Sequence, residues 1–283
     1  SKMDLGVPQL ADITRDTTDR NRTSPFAFTG NKFEFRMCGS QQNLADPNMV
    51  LNTAVAEKLD EFATAMGPVD KSDLVSASME WIKKTLTDHQ RVIFNGNGYS
   101  DEWTAEAERR GLPNYPNTPS AIRNMVKPEN LEFYARYGVL NENEVHARYV
   151  SKAEQYSKLL NIEANTMSYM TRHMYLPALI DYSGDIATGV ATKAELGLKA
   201  KAERKLIERL TDGIDKISDA VDDLEEKNAA AQKIEDPQEQ SDTYADSVLP
   251  AMETLRAVVD DMERLCSHDF WPVPSYNKML FYV

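Results

Sequence analysis

The sequence predicts an α+β fold that is predominantly α in this chain. Near the start, the segment NKFEFRM alternates charged and large apolar residues, which is the pattern of a β-strand. From about residue 48 onward, apolar residues recur three and four positions apart, which is the pattern of amphipathic helices. A chain of 283 residues with 41% hydrophobic residues can bury a sizeable core.

The strand segment places a carboxylate between two cations. Its charged residues are Lys32, Glu34 and Arg36, and its apolar residues are Phe33, Phe35 and Met37. Because successive side chains on a strand point to opposite faces, the charges share one side of the strand. A solvated strand face explains this pattern most simply. The same arrangement could also bind a divalent metal through the carboxylate and phosphate oxygens through the cations.

The segment after this strand predicts two helices followed by a broken region. The first helix is expected from Asn48, as its N-cap, to about Met66, before Gly67-Pro68 ends it. The second is expected from Ser72 to about His89. The apolar face of this second helix comprises Leu74, Ala77, Met79, Ile82 and Leu86. Glycines and prolines between Arg91 and Tyr137 predict short helices and ordered loops.

The C-terminal half predicts longer helices. One helix is expected from about Asn143 to Leu176, with a kink at Pro177 and a continuation to about Leu198. Two apolar stripes follow: Ile207, Leu210, Ile214, Ile217, Val221 and Leu224, then Val248, Met252, Leu255, Val259, Met262 and Cys266. The segment KIEDPQEQSD joins them, so we expect an antiparallel helical hairpin whose stripes pack together or on the preceding helix. A ligand groove along a stripe is the alternative. The aromatic tail, HDFWPVPSYNKMLFYV, is expected to lie extended against the body or a neighbouring subunit.

Charge and composition disfavour several function classes. The net charge of -13 disfavours nucleic acid and anionic membranes as partners, although a local basic cluster could bind one phosphorylated ligand. No apolar run approaches a membrane span, and the start lacks the layout of a signal peptide, so we expect a cytoplasmic chain. Cys38 and Cys266 are far apart, which argues against a disulfide framework. The four histidines form no HExxH motif, which disfavours classical zinc hydrolysis.

Several long strings resemble one enzyme family. The run RNRTSPFAFTGNKFEFRM followed by DPNMVLNTAVAE resembles the C-terminal part of the catalytic domain of glutamine synthetase, type III class. VIFNGNGYSDEWTAEAERRGLPNYPNTP, LLNIEANTM and WPVPSYNKMLFYV resemble further type III features. The resemblance implies the end of a catalytic barrel in residues 1–67, a helical continuation in 68–200, and a helical hairpin with an extended tail in 201–283.

The resemblance also implies a reaction and roles for four residues. The family uses ATP to ligate ammonia to glutamate through γ-glutamyl phosphate, with Mg²⁺ or Mn²⁺. Glu34 would be one ligand of that metal. Arg36 would neutralise the transferring phosphoryl group or the substrate carboxylate. Arg22 would contact nucleotide phosphates, and Lys32 would contact ATP.

The sequence departs from the family pattern at two places, and one alternative function is also consistent with it. Lys32 stands where an arginine is commoner and loses its planar fork, and Ala27 and its neighbours supply no second arginine. The other metal ligands and substrate loops would precede Ser1, so this chain alone is expected to be inactive. The family assembles into large homo-oligomeric rings. The alternative is that the chain is a non-catalytic helical module for assembly or regulation.

Overall fold

The structure, a computed structural model, describes residues 2–3, 13–14, 26–28, 33–35, 42–94, 98, 100–274 and 276–281. Helices account for most of these residues, as predicted, and the described strands are short. The chain forms two compact units, Ser1–Asn114 and Tyr115–Val283. The domain ends predicted at residues 67 and 200 stay predictions.

The first unit begins with two antiparallel strand pairs. β1 (Lys2–Met3) pairs with β2 (Ile13–Thr14), and β3 (Phe26–Phe28) pairs with β4 (Phe33–Phe35). Of these strands the sequence predicted only β4. β1 and β2 are only two residues long, and β3 lacks the alternation of charged and apolar residues that marked β4.

Helices form the rest of the first unit. They are α1 (Ala45–Met66), α2 (Leu74–Asp88), a 3₁₀ turn at Gln90–Val92 and α3 (Asp101–Arg109). The predicted N-cap of α1 is wrong, since the helix begins before Asn48 and the Asn43 side chain accepts a hydrogen bond from the Ala45 N–H at 2.7 Å. Pro47 lies in the first turn, where a helix needs no N–H donor.

The apolar face of α2 is largely exposed, contrary to the usual behaviour of such a stripe. No residue of α2 is buried. Val75 is 77% exposed, Met79 63% and Leu86 55%. The sequence pattern therefore predicted the helix correctly but not its burial.

In the described part of the second unit, all regular secondary structure is helical. Its helices are α4 (Thr118–Ile122), α5 (Pro128–Arg136), α6 (Glu142–Met170), α7 (Leu176–Glu195), α8 (Lys201–Ala231), α9 (Pro237–Thr243), α10 (Leu249–Glu263) and α11 (Tyr276–Leu280). The start of α6 is fixed by a capping box: Asn141 Oδ1 accepts from the Glu144 N–H at 3.0 Å, and Glu144 Oε2 accepts from the Asn141 N–H at 2.8 Å.

Two π-helical turns interrupt the long helices, and each lies just before a proline. Thr171–Tyr175 precedes Pro177 between α6 and α7, where the sequence predicted a kink. Tyr244–Val248 precedes Pro250 between α9 and α10. A proline ring clashes with the carbonyl four residues earlier, and in both cases that carbonyl belongs to the wider π turn.

The core of the second unit lies among α6, α7, α8 and α10. Its fully buried members include Leu179, Leu210, Ile217, Val221, Leu224 and Leu255. α8 and α10 approach closely where Gly213 contacts Met262, since a Cβ added at Gly213 would lie 2.0 Å from the Met262 Sδ. Near the other end of α8, the Gln240 Nε2 donates to the Ile234 carbonyl at 3.0 Å.

Side-chain amides join α6 to α8. Asn228 is buried and donates to the Asn165 Oδ1 at 3.0 Å, while Gln232 donates to the Asn161 Oδ1 at 2.7 Å. Asn165 in turn donates to the Asn161 Oδ1 at 3.1 Å. Asn161 and Asn165 belong to the string LLNIEANTM, so part of that string holds two helices in register.

The aromatic tail follows its prediction only at the start. Phe270, Trp271 and Val273 pack on the core. The end of the tail forms helix α11 instead of an extended segment, and Leu280 is 73% exposed.

Candidate functional site

Glu34 lies in the middle of β4. Its backbone is opposite Ala27 of β3, and its side chain is half-buried. Beside it, the rings of Phe26 and Phe33 stack with centroids 4.6 Å apart and planes at 12°. Phe33 is nevertheless 52% exposed in this chain. A two-stranded hairpin has no second layer of its own to cover that ring.

The other three predicted site residues, Arg22, Lys32 and Arg36, lie outside the described residues. Their roles stay predictions. The structure therefore places Glu34 but does not test whether the cations lie beside it.

The described residues do not form a metal site by themselves. Across those ranges, no group of three or more His, Cys, Asp or Glu side chains could hold a metal ion. A site for Mg²⁺ typically combines one or two carboxylates with waters and substrate phosphates, so Glu34 can be one ligand but needs others.

The acidic pairs on the helices bind cations of this chain. Arg172 donates to Glu225 and to Asp222 at 2.6 Å, and these hydrogen bonds raise the pKa of the Arg172 guanidinium. Lys227 donates to Asp223 at 2.7 Å. The arrangement is that of partly solvated ion pairs.

In the string VIFNGNGYSDEWTAEAERRGL, described residues on either side of positions 95–99 gather around one arginine. The rings of Phe94 and Trp103 stack at 4.0 Å, and the Arg110 guanidinium lies 5.6 Å from the centre of the Trp103 ring. Arg110 also donates from Nη1 to the carbonyls of Ile93 at 2.8 Å and Arg91 at 3.3 Å. Arg110 thereby connects Arg91 and Ile93 to the C-terminal end of α3.

Glu106 completes this structure. It accepts two hydrogen bonds from Arg109 at 2.6 Å and one from Arg110 at 2.5 Å. Hydrogen bonds from Arg109 and then Arg110 lower the pKa of the Glu106 carboxyl from 4.5 to about 2. The residues named in this cluster bind one another, so these contacts give them a structural role.

A cavity of about 480 Å³ lies in the second unit, and we call it the α10 cavity. Its walls are the end of α6 with the π turn Thr171–Tyr175, one face of α10, and the segment containing Trp271 and Val273. The rings of Tyr175 and Trp271 stack at 5.0 Å with planes at 24°. Burial, followed by the charge of Glu263, raises the pKa of the Tyr175 hydroxyl. The sequence left open a ligand groove along an apolar stripe, and Met252, Leu255 and Val259 of that stripe line the cavity. The π turn that forms another wall was not predicted, because it has no readable sequence signature.

No helix in the described ranges combines the length and the apolar character needed to span a membrane.

Comparison with known proteins finds relatives of this sequence. A family model, the glutamine synthetase C-terminal domain, matches residues 77–194. The chain is 35% identical over 289 aligned residues to a type-3 glutamine synthetase of Dictyostelium discoideum, covering 99% of this chain and 39% of that protein. It is 34% identical to a glutamine synthetase of Butyrivibrio fibrisolvens and 30% identical to one of Bacteroides fragilis, over 96% and 98% of this chain.

The chain is therefore similar, over nearly its whole length, to the C-terminal part of glutamine synthetases. The relative from Dictyostelium discoideum is of the type III class that the sequence strings predicted. The chain spans 39% of the length of each of these relatives.

Proposed function

We propose that this chain is the C-terminal part of an enzyme that ligates ammonia to glutamate with ATP. The observation that carries the proposal is the alignment of nearly the whole chain with a type-3 glutamine synthetase at 35% identity. The strand around Glu34 adds support, because its alternating charges match the family motif in type and spacing.

In the proposed reaction, an oxygen of the glutamate side-chain carboxylate forms a bond to the γ-phosphorus of ATP, and the bond to ADP breaks. Ammonia then attacks the carbonyl carbon of γ-glutamyl phosphate, phosphate leaves with its electron pair, and the nitrogen loses a proton. Both steps concentrate negative charge, which fixed cations stabilise. Arg36 neutralises the charge of the transferring phosphoryl group or of the substrate carboxylate, and Arg22 and Lys32 bind nucleotide phosphates.

Glu34 supplies one ligand to the Mg²⁺ or Mn²⁺ that accompanies ATP. Pairing of β4 with β3 fixes the backbone at Glu34, and a carboxylate on a paired strand is better positioned than one on a loop. The remaining ligands come from parts of the enzyme outside this chain.

The proposed enzyme is a large homo-oligomeric ring. The exposed apolar residues of α2, such as Met79 and Leu86, support this, since assembly with the rest of the enzyme or a neighbouring subunit would cover them.

A chimera tests the proposal. It joins the preceding part of the Dictyostelium relative to this chain, and phosphate release is measured with glutamate, ammonium and ATP. We expect Glu34→Gln, which keeps the shape of the side chain, to reduce turnover by about a hundredfold or more. The matched control is Glu61→Gln, because Glu61 is an exposed carboxylate that pairs with Lys58 on α1.

Unchanged turnover in Glu34→Gln would contradict the role given to Glu34. An assembled but inactive parent chimera would favour the alternative, a non-catalytic assembly module.

A further inference from the structure

The walls of the α10 cavity are mainly apolar and adaptable. Met167 and Met170 of α6 face Met252 of α10 across it, and Tyr175 and Trp271 add aromatic surface. Methionine thioethers adjust to ligands of different shape. A volume of about 480 Å³ is within the range of small-molecule sites.

One edge of the cavity is negatively charged. Glu253, Arg256, Asp260 and Glu263 line it in a single stripe along α10. Arg256 donates to Asp260 at 2.7 Å, so these two charges offset each other. Within the described part of the chain, no ion pair is found for Glu253 or Glu263. The edge therefore carries two carboxylates that an external cation could neutralise.

We propose that the α10 cavity binds a small organic cation with an aromatic body, an arylalkylamine. The apolar walls take the ring, and the ammonium group lies at the edge beside Glu263. This site is separate from the β4 strand and does not depend on the proposed ligase activity.

Three probes of similar shape test the charge requirement on the intact 283-residue chain: 2-phenylethylamine, 2-phenylethanol and phenylacetate. Isothermal titration calorimetry measures each affinity at neutral pH. We expect the amine to bind about tenfold more tightly than the alcohol, because an ion pair or cation–π contact adds to apolar burial, and phenylacetate to bind more weakly than either.

Two variants and a control locate the site. Glu263→Gln should weaken amine binding by about threefold or more and leave the alcohol unaffected. Asp261→Asn removes the same charge from α10 but lies outside the cavity, so it should change neither affinity. Val273→Trp should fill the cavity and abolish binding of all probes, and circular dichroism with a thermal melt checks that this variant is folded.

Three results would overturn the proposal. The first is equal affinity for amine, alcohol and carboxylate. The second is undiminished amine binding in folded Val273→Trp. The third is a chain that binds none of the probes, which includes the case in which a second copy of the chain fills the cavity.

Discussion

Among single residues, Glu106 has the best-defined electrostatic environment. Two arginines bind its carboxylate, and its pKa is lowered to about 2. Because the folded-state pKa is below the ordinary 4.5, ionised Glu106 stabilises the fold at pH values above about 4.5. That contribution is lost as the pH falls from about 4.5 through 2.

A carbon-13 NMR titration of the Glu106 carboxyl checks this prediction. We expect a midpoint near pH 2 in the parent chain and a higher one in Arg109→Gln, since the hydrogen bonds from Arg109 are the main cause of the shift. Arg123→Gln is the control, because Arg123 pairs with Asp242 and does not contact Glu106. A midpoint near 4.5 in the parent would show that the carboxylate is not held by these arginines.

The cluster around Glu106 shows what could and could not be predicted about single residues from the sequence. The string containing it was distinctive enough to indicate a family. Its contacts could not be predicted, because Arg110 bonds to carbonyls 17 and 19 residues away along the chain. Such contacts join residues far apart along the chain, and no periodicity encodes them.

Among the helices, α8 and α10 meet at Gly213 and Met262, where there is no space for an added Cβ unless Met262 moves. A Cβ at Gly213 would be 2.0 Å from the Met262 Sδ. We expect Gly213→Ala to destabilise the chain by about 1–3 kcal/mol through overpacking. In a Met262→Ala background the same change should instead stabilise the chain by about 1 kcal/mol, because alanine favours helix over glycine.

Urea unfolding measures these differences, and Gly189→Ala in α7 is the control. No atom lies within 4 Å of a Cβ built at Gly189, so that substitution should stabilise the chain by up to about 1 kcal/mol. If Gly213→Ala stabilises the chain as much as Gly189→Ala, the Met262 side chain does not restrict the space at Gly213.

Apolar spacing predicted helices more reliably than it predicted burial. The stripes around Ile217 and Leu255 are buried as expected. The stripe on α2 has the same spacing, but Met79 is exposed. Apolar spacing indicates which face of a helix is hydrophobic, but burial also requires another element to pack on that face. The described residues supply such a partner for the stripes of α8 and α10 but not for Met79.

The two units of the whole molecule are expected to differ in stability. The second unit has a continuous buried core, whereas α2 in the first unit buries no residue. Native-state hydrogen exchange should therefore be slowest for amides near Ile217 and Leu255 and faster by orders of magnitude near Met79. Mass spectrometry of peptides from both units measures this, and equal protection would contradict it.

The candidate catalytic site was predicted from its motif alone. Alternation located the β4 strand and its carboxylate, Glu34, and the structure places that strand in an antiparallel pair. Metal coordination could not follow from this sequence, because it requires several ligands to converge from distant parts of the polypeptide.

The π turns at Thr171–Tyr175 and Tyr244–Val248 also affect which changes in chain length the second unit can tolerate. A π turn holds one more residue than an α-helical turn, so it absorbs an insertion without rotating the flanking helical faces. Deleting exposed His173 or Asp246 would convert the turn to ordinary helix and leave both flanks in register. Related chains are therefore expected to gain or lose single residues at these two positions more readily than in the middle of α8.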